Sequence, residues 1–516
     1  MGSINRLRLT PVLCASLGAA AGFYILFHSP PAAVVSVLIV FLAAHSFLFV
    51  LASLDSSAEM RHLLFLKDEP LSDVKPAAKD AGSSLKSRHL QLTSVCAAAF
   101  TVGLFLGLSA AGAGRSGVYF GISENNITGV EGVLLDDPRV LTSGSVMAVL
   151  SLRRCAGNGG MRASGSGEIT VFFPQENAEK IKQFGRGTAV FAEGVMRSSL
   201  YGWSFSAQSL HILKPASSIE RMRTDIRLSL SGRFQNENWG GLALALLLGI
   251  RDNLDSNFTA QYRDAGLSYI LALSGMHLAI LTALIAFLLK RPLGLKASAV
   301  TSAALIILYC LLVGPMPSLN RSALMYILGI TAVLGALPKN SMSILSLSFL
   351  IQIVITPQAG NTLSFTLSYL ALLGILITGQ AFSFLLAGKV PDFLLQPLSL
   401  SVGAFLATAG ICSFTFGIIS PIGIIAGLLI VPLTTIFMIG SIIWLFLSMF
   451  SLSFLLSFPL SILYNLMESI AAVTGKFPGV CANPFLILIF SFILSVFIII
   501  LEYSKRKSLQ NIKPFT

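Results

Sequence analysis

From residue 265 to residue 500 the chain carries only nine charged side chains: Lys290, Arg291, Lys296, Arg321, Lys339, Lys389, Asp392, Glu468 and Lys476. So long a stretch with so few ionisable groups cannot cover itself with a hydrated surface, because a water-soluble domain needs charge over much of its exterior. It has to lie in lipid. Crossing a hydrocarbon core of about 30 Å takes roughly 20 apolar helical residues. Segments of this kind fall near 266–289, 297–314, 322–338, 341–356, 362–387, 397–416, 422–449, 451–474 and 484–503, and three more precede them near 11–29, 30–52 and 90–112. Composition agrees, with 54% hydrophobic and 11% charged residues and a mean hydropathy of +0.80. The reading is a polytopic α-helical membrane protein with about twelve transmembrane helices.

Lys and Arg in short loops set the orientation, since basic loops stay on the cytoplasmic side. With the N-terminus inside, the inner segments collect Arg6, Arg8, six basic residues between 53 and 89, Lys290, Arg291, Lys296, Lys339, Lys389 and the tail residues Lys505, Arg506, Lys507 and Lys513. Arg321 and Lys476 fall in outer loops. Both termini are therefore expected in the cytoplasm. The chain divides into three N-terminal transmembrane helices over 1–112 with a cytoplasmic loop at 53–89, a polar block over 113–235, a segment over 236–264, a membrane domain over 265–503 and a basic tail over 504–516. A cleaved leader is not expected, because a second apolar segment follows the first at once.

The polar block at 113–235 changes character. Period-2 runs such as "NITGVEGVLL", "SVMAVLSLRR", "GEITVFFP", "GTAVFAEGVM" and "WSFSAQSLHIL" are separated by Gly, Pro or Asn, the pattern of half-buried strands. Five short strands suit a small, inserted all-β domain, expected to be an OB-like barrel outside the cytoplasm. Its 14 Lys and Arg against 10 Asp and Glu cluster: Arg153, Arg154 and Arg162 in one stretch, Lys180, Lys182 and Arg186 in another, and Arg197 beside Tyr201 and Trp203. Cations for phosphate with aromatic faces for base stacking are what a single strand of nucleic acid needs. An ordinary solvated face, with Trp203 in the core, fits the same residues. Over 236–264, "NENWGGLALALLLGI" is apolar but too short to span, and an interfacial helix on the outer face accounts for it.

No catalytic constellation emerges. The six histidines have no ligand spacing for zinc, no phosphate-binding Gly-rich loop precedes a Gly-Lys pair, and the lone Cys155 of the polar block has no partner there for an internal disulfide. Neither a cofactor nor a metal is expected. The unusual polar group is Ser274, Gly275 and His277, near the middle of the expected span 266–289. Ionisable groups in the bilayer usually face a cavity or a partner, so these residues either line a passage or serve as a hydrogen bond between helices.

Four blocks then come in a recognisable order: "ALLLGIRDNLDSNFTAQYRDAGLSYILALSGMHLAIL" (243–281), "LLVGPMPSLNRSALM" (311–325), "LSFTLSYLALLGIL" (363–376) and "FGIISPIGIIAGLLIVPL" (416–433). They resemble the competence domain of the ComEC family, and the polar block after the third span is similar to that family's N-terminal OB-like module. The resemblance implies passage of one DNA strand across the cytoplasmic membrane during natural transformation. Ser274, Gly275, His277, Arg321 and Ser368 match the family pattern and would line the channel. Tyr269, Thr366 and Gly427 depart from it, standing where the family has His, Gln and Asn. Many family members continue into a metallo-β-lactamase-like domain, and the chain is expected to lack one. The implied partners are single-stranded DNA, membrane lipids, a separate DNA receptor, nuclease and cytoplasmic motor, and further copies of the chain. Alternative readings are a transporter or channel for a small metabolite or lipid, or a diverged family member that no longer transports.

Overall fold

The computed structural model describes residues 15–20, 103 and 118–512, apart from 142–143, 158–160, 178–180, 182–183, 200–201 and 336–339. The three expected N-terminal spans and the loop at 53–89 lie almost wholly outside the described residues. The chain divides into two compact units: residues 116–323 with 425–478, and residues 324–424 with 479–516 and the first 115.

The strands are β1 Tyr119–Phe120, β2 Ile127–Leu134, β3 Arg139–Val140, β4 Val146–Gly157, β5 Arg162–Ser166, β6 Glu168–Phe173, β7 Ala189–Ser199 and β8 Gly202–Lys214. The helices are α1 Ser218–Phe234, α2 Gly240–Leu248, α3 Ser256–Asp264, α4 Ser268–Leu271, α5 Gly275–Val313, α6 Pro317–Leu334 and α7 Ser341–Ile355. After these come α8 Leu363–Gly374, a π turn Ile375–Gly379, α9 Gln380–Leu386, α10 Asp392–Phe416, α11 Gly423–Ser448, α12 Phe454–Thr474 and α13 Pro484–Ile512.

Each of the five expected strands is present, and they close on themselves. β2 pairs antiparallel with β4 and β7, β4 with β6, β7 with β8, and β6 runs parallel to β8, so the path β4-β2-β7-β8-β6 returns to β4. Closure removes the free edges that an open sheet would leave. Alternation along the strands sends Val130, Leu134, Val146, Leu150, Ile169, Val171, Phe173, Val190 and Phe205 inward as one core. β1, β3 and β5 are short additions on β4 and on one another, too brief to show a period.

In the same unit α2 is enclosed by protein, whatever its depth relative to a bilayer. Leu242, Ala243, Leu244, Ala245, Leu246 and Leu248 are all buried, as expected of a helix apolar on every side. Around it Trp239 meets Phe437 and Trp444 edge-on at 5.7 and 5.2 Å, and Phe258 stacks on Tyr464 at 5.0 Å. This aromatic core binds α1–α4 to α11 and α12. Polar ties at its rim join the same elements: Ser457 donates to Glu237 at 2.7 Å, and Trp444 Nε1 donates to Ser457 at 2.9 Å.

Seven described helical segments are long and apolar enough to cross a membrane, and the chain is a multi-pass membrane protein. They are Gly275–Gly294, Lys296–Val313, Leu363–Leu386, Asp392–Phe416, Gly423–Ser448, Phe454–Thr474 and Pro484–Arg506. Nine were expected over the same region, and the difference has physical causes. α7 has 15 residues, about 22 Å at 1.5 Å per residue. The first turns of α6 carry Ser318, Asn320, Arg321 and Ser322, which dilute its hydropathy. The first two spans form one kinked element, α5, broken at Gly294, where φ is 73°. Glycine occupies that left-handed region without the clash a Cβ would bring.

In the other unit, α8, the π turn and α10 pack backbone against backbone. A Cβ on Gly374 would lie 2.2 Å from the carbonyl oxygen of Gly403, and one on Gly403 would lie 2.8 Å from Gly379 N. Small residues allow such contact where no water drives helices together.

Candidate functional site

Ser274, Gly275 and His277 do not lie in the middle of a span. The apolar run 266–289 is interrupted: α4 ends at Leu271, and Ser274 is the extended N-cap residue from which α5 starts. The Ser274 side chain accepts the Met276 N–H at 3.3 Å, while the Ser274 N–H donates to His277 Nδ1 at 2.9 Å, a reciprocal capping box. A histidine here does what Glu or Gln usually does at the third helical position. The expectation of a mid-span group is corrected accordingly, because an N-cap serine can hide inside an apolar run.

That start sits beside Arg321. A Cβ on Gly275 would lie 2.6 Å from Ser322 Oγ and 3.1 Å from Arg321 Nη2, so any side chain here would press on the Ser322 hydroxyl and the guanidinium. Arg321 follows Val313, the end of α5, by eight residues. Laid straight, α5 with its 39 residues would hold its ends more than 50 Å apart, whereas eight extended residues reach at most about 29 Å. The two spans of α5 therefore double back at Gly294. The start of the first span, the end of the second and the start of α6 share one end of the unit, opposite the basic turn of Lys290, Arg291 and Lys296.

The electrostatics of this corner are one-sided. The N-terminus of α5 carries the positive end of the helix dipole, and Arg321, 7% exposed, is held against it. His277 is 1% exposed. Because its Nδ1 accepts a backbone N–H, the neutral ring bears its proton on Nε2. That buried donor meets no acceptor among the described residues. The α5 N-terminus and the Arg321 guanidinium thus lie side by side, a setting that favours an anion.

The same end of the unit is tied to the β barrel through residues the sequence reading did not single out. Asp137, after β2, accepts from Arg223 of α1 and from the Arg186 backbone N–H at 3.2 Å, and pairs with the charge of Arg227 of α1 at 3.2 Å. Arg223 Nη1 donates to Leu312 O at 3.3 Å, and Arg227 Nη1 reaches Val313 O at 3.0 Å and Leu248 O at 3.2 Å. The two arginines thus cap the carbonyl ends of α2 and α5, where cations are favoured. The only sequence signal was an Arg-rich helix following a strand domain.

Of the expected nucleic-acid contacts on the barrel, Arg153, Arg154, Arg162 and Arg197 are exposed. A register shift between Glu131 and Gly132 leaves Arg153 as the extra residue of β4, so it and Arg154 both point outward. Arg154 pairs with Ser164 and Ala156 with Arg162, which puts Arg154 and Arg162 on one face of the β4–β5 pair. Arg154 lies 3.9 Å from Glu131. Trp203 is half-buried, edge-on to Phe120 at 6.2 Å. Arg186 belongs with the acidic residues, close enough to Asp136 to favour its ionised form. Lys180, Lys182 and Tyr201 lie outside the described residues. Ser368 is half-buried on α8 of the other unit, next to a network in which Tyr369 donates to Gln352 at 3.0 Å and lies 3.3 Å from Ser348 Oγ.

The family model described as competence protein matches residues 246–506. ComE operon protein 3 of Bacillus subtilis (strain 168) is 26% identical over 320 residues, covering 59% of this chain and 40% of that protein. The chain thus matches less than half the length of that relative. The matched stretch contains the α5 start, Gly275, His277 and Arg321.

Proposed function

The chain belongs to the competence protein family, and from that premise we propose that it carries single-stranded DNA across the cytoplasmic membrane. The observation that carries the reading is the corner at the start of α5, where the positive end of the helix dipole and the Arg321 guanidinium meet beside Gly275. Such a corner favours an anion, and a DNA backbone presents phosphates in succession. Ser274 fixes the ring of His277 and Gly275 keeps the guanidinium close, while Ser368 is a lining residue of its own unit. The barrel, with the β4–β2–β7–β8–β6 pairing of an OB-like module, receives the strand through Arg153, Arg154, Arg162 and Arg197, with Trp203 and the undescribed Lys180, Lys182 and Tyr201 as further contacts.

Charge distribution supports an orientation with both termini in the cytoplasm, which puts the barrel and the α5 start outside. An even number of crossings satisfies that parity. Cysteine labelling from outside should reach the barrel and spare the tail. A separate receptor, nuclease and motor supply capture, strand removal and pulling. Deleting the gene tests the function: DNA bound at the surface should persist while labelled strand in the cytoplasm disappears, and unchanged internalisation would refute it.

A further inference from the structure

The unit formed by 324–424 and 479–516 holds a groove of about 890 Å³ between α9, α10 and α13. Its wall on α13 is a stripe at helical spacing: Leu486, Phe490, Leu494, Phe497, Leu501 and Lys505. Nineteen residues separate the first of these from the last, about 28 Å along the helix and close to the thickness of a hydrocarbon core. Apart from Ser491 the lining is apolar until Lys389 and Lys505 close one end.

Those lysines sit where a headgroup would. Lys505 Nζ donates to the carbonyl oxygens of Phe384 and Leu385 at 3.2 and 3.0 Å, which anchors it at the end of α9. The Lys505 Nζ also lies 5.2 Å from the centre of the Phe384 ring, and neither the carbonyls nor the ring cancels its positive charge. Lys389 is exposed on the turn that follows α9. The neighbouring Arg506 is engaged with Glu502 and lies 3.9 Å over the Phe384 ring, so its charge is already matched.

α13 spans the membrane, and an apolar groove of bilayer length along it is filled by an acyl chain or by protein. Two cations at headgroup depth decide the sign of what enters, because basic pockets between transmembrane helices select anionic lipids. We propose that this groove is a binding site for an anionic phospholipid, with one acyl chain along α13 and the phosphate between Lys389 and Lys505. The site rests on the chain crossing a membrane and is independent of DNA transport.

The test uses the full chain in mild detergent, equilibrated with equal amounts of phosphatidylglycerol and phosphatidylcholine of matched acyl chains, with bound lipid counted by native mass spectrometry. The wild-type protein should retain phosphatidylglycerol several-fold over phosphatidylcholine. Lys389→Gln should bring that ratio close to parity, and Leu494→Trp, which fills the groove, should reduce retention of both lipids. If Leu494→Trp fails to fold, the exposed Lys389→Gln decides alone. Equal retention by the wild type would leave only unselective surrounding lipid. An unchanged preference in the variants would move the lipid elsewhere and give the groove to a helix, either another protein's or one from residues 21–102. Each of these results overturns the proposal.

Discussion

Arg223 and Asp137, 86 residues apart in the chain, form an ion pair that joins the β barrel to the helices. Asp137 also receives Arg227, and the two arginines end on the carbonyls of α2 and α5. Asp137→Ala would leave the largely buried Arg227 without its ion-pair partner and Arg223 with Glu220 alone. Breaking a buried pair costs about 3–5 kcal/mol, and solvent at the quarter-exposed Asp137 side chain reduces that. The expected loss is about 2–3 kcal/mol, read as a lower melting temperature in detergent. A variant that melts like the wild type would mean that the pair does not hold the barrel in place.

Burial raises the Asp136 carboxyl above the ordinary carboxylate range, with Asp137 adding to the rise and Arg139, Arg186 and Arg223 opposing it. A carboxyl whose pKa is higher folded than unfolded gives its full stability below the unfolded value and loses it as pH rises through the folded one. Asp136→Asn should remove that loss. The difference in melting temperature between variant and wild type should therefore grow from pH 4 upward, and a constant difference would contradict the assignment.

The α5 start separates passage from packing. Gly275→Leu should displace Arg321 and Ser322 and abolish DNA uptake while the protein still reaches the membrane. His277→Ala removes one half of a capping box, worth about 1 kcal/mol, and should reduce uptake by much more than that drop in stability explains. Normal uptake with a lowered melting temperature would make the ring a helix cap and nothing further.

On the barrel, reversing Arg153 and Arg154 to Glu should weaken binding of single-stranded DNA by the purified protein. It should also flatten the plot of log affinity against log salt by roughly 0.7 for each phosphate that is no longer neutralised. Binding with the wild-type slope would remove these residues from the interface.

The legible and illegible parts of the molecule divide by range of interaction. Strands β2, β4, β6, β7 and β8 could be read because alternation repeats every second residue and each is long enough to show it. Ser274, Gly275, His277 and Arg321 could be picked out individually, but the boundary at Ser274 was hidden. Leu267, Ile270, Leu271 and Leu273 ahead of it are as apolar as the span behind it, and all are buried in protein. Hydropathy cannot separate a helix enclosed by protein from one in lipid, which also obscured the setting of α2. The run of bonds from Asp137 through Arg223 to Leu312 left only an Arg-rich helix as its trace, since each residue alone is ordinary for its segment.

The central claim is that the imported strand touches the corner formed by the start of α5 and Arg321. A photo-crosslinking amino acid at Ser322, activated in cells internalising labelled DNA, addresses it directly, with the same group at Phe490 as control. The account predicts an adduct with single-stranded DNA at 322 and none at 490. Cells that internalise DNA normally and yield no adduct at 322 would contradict it.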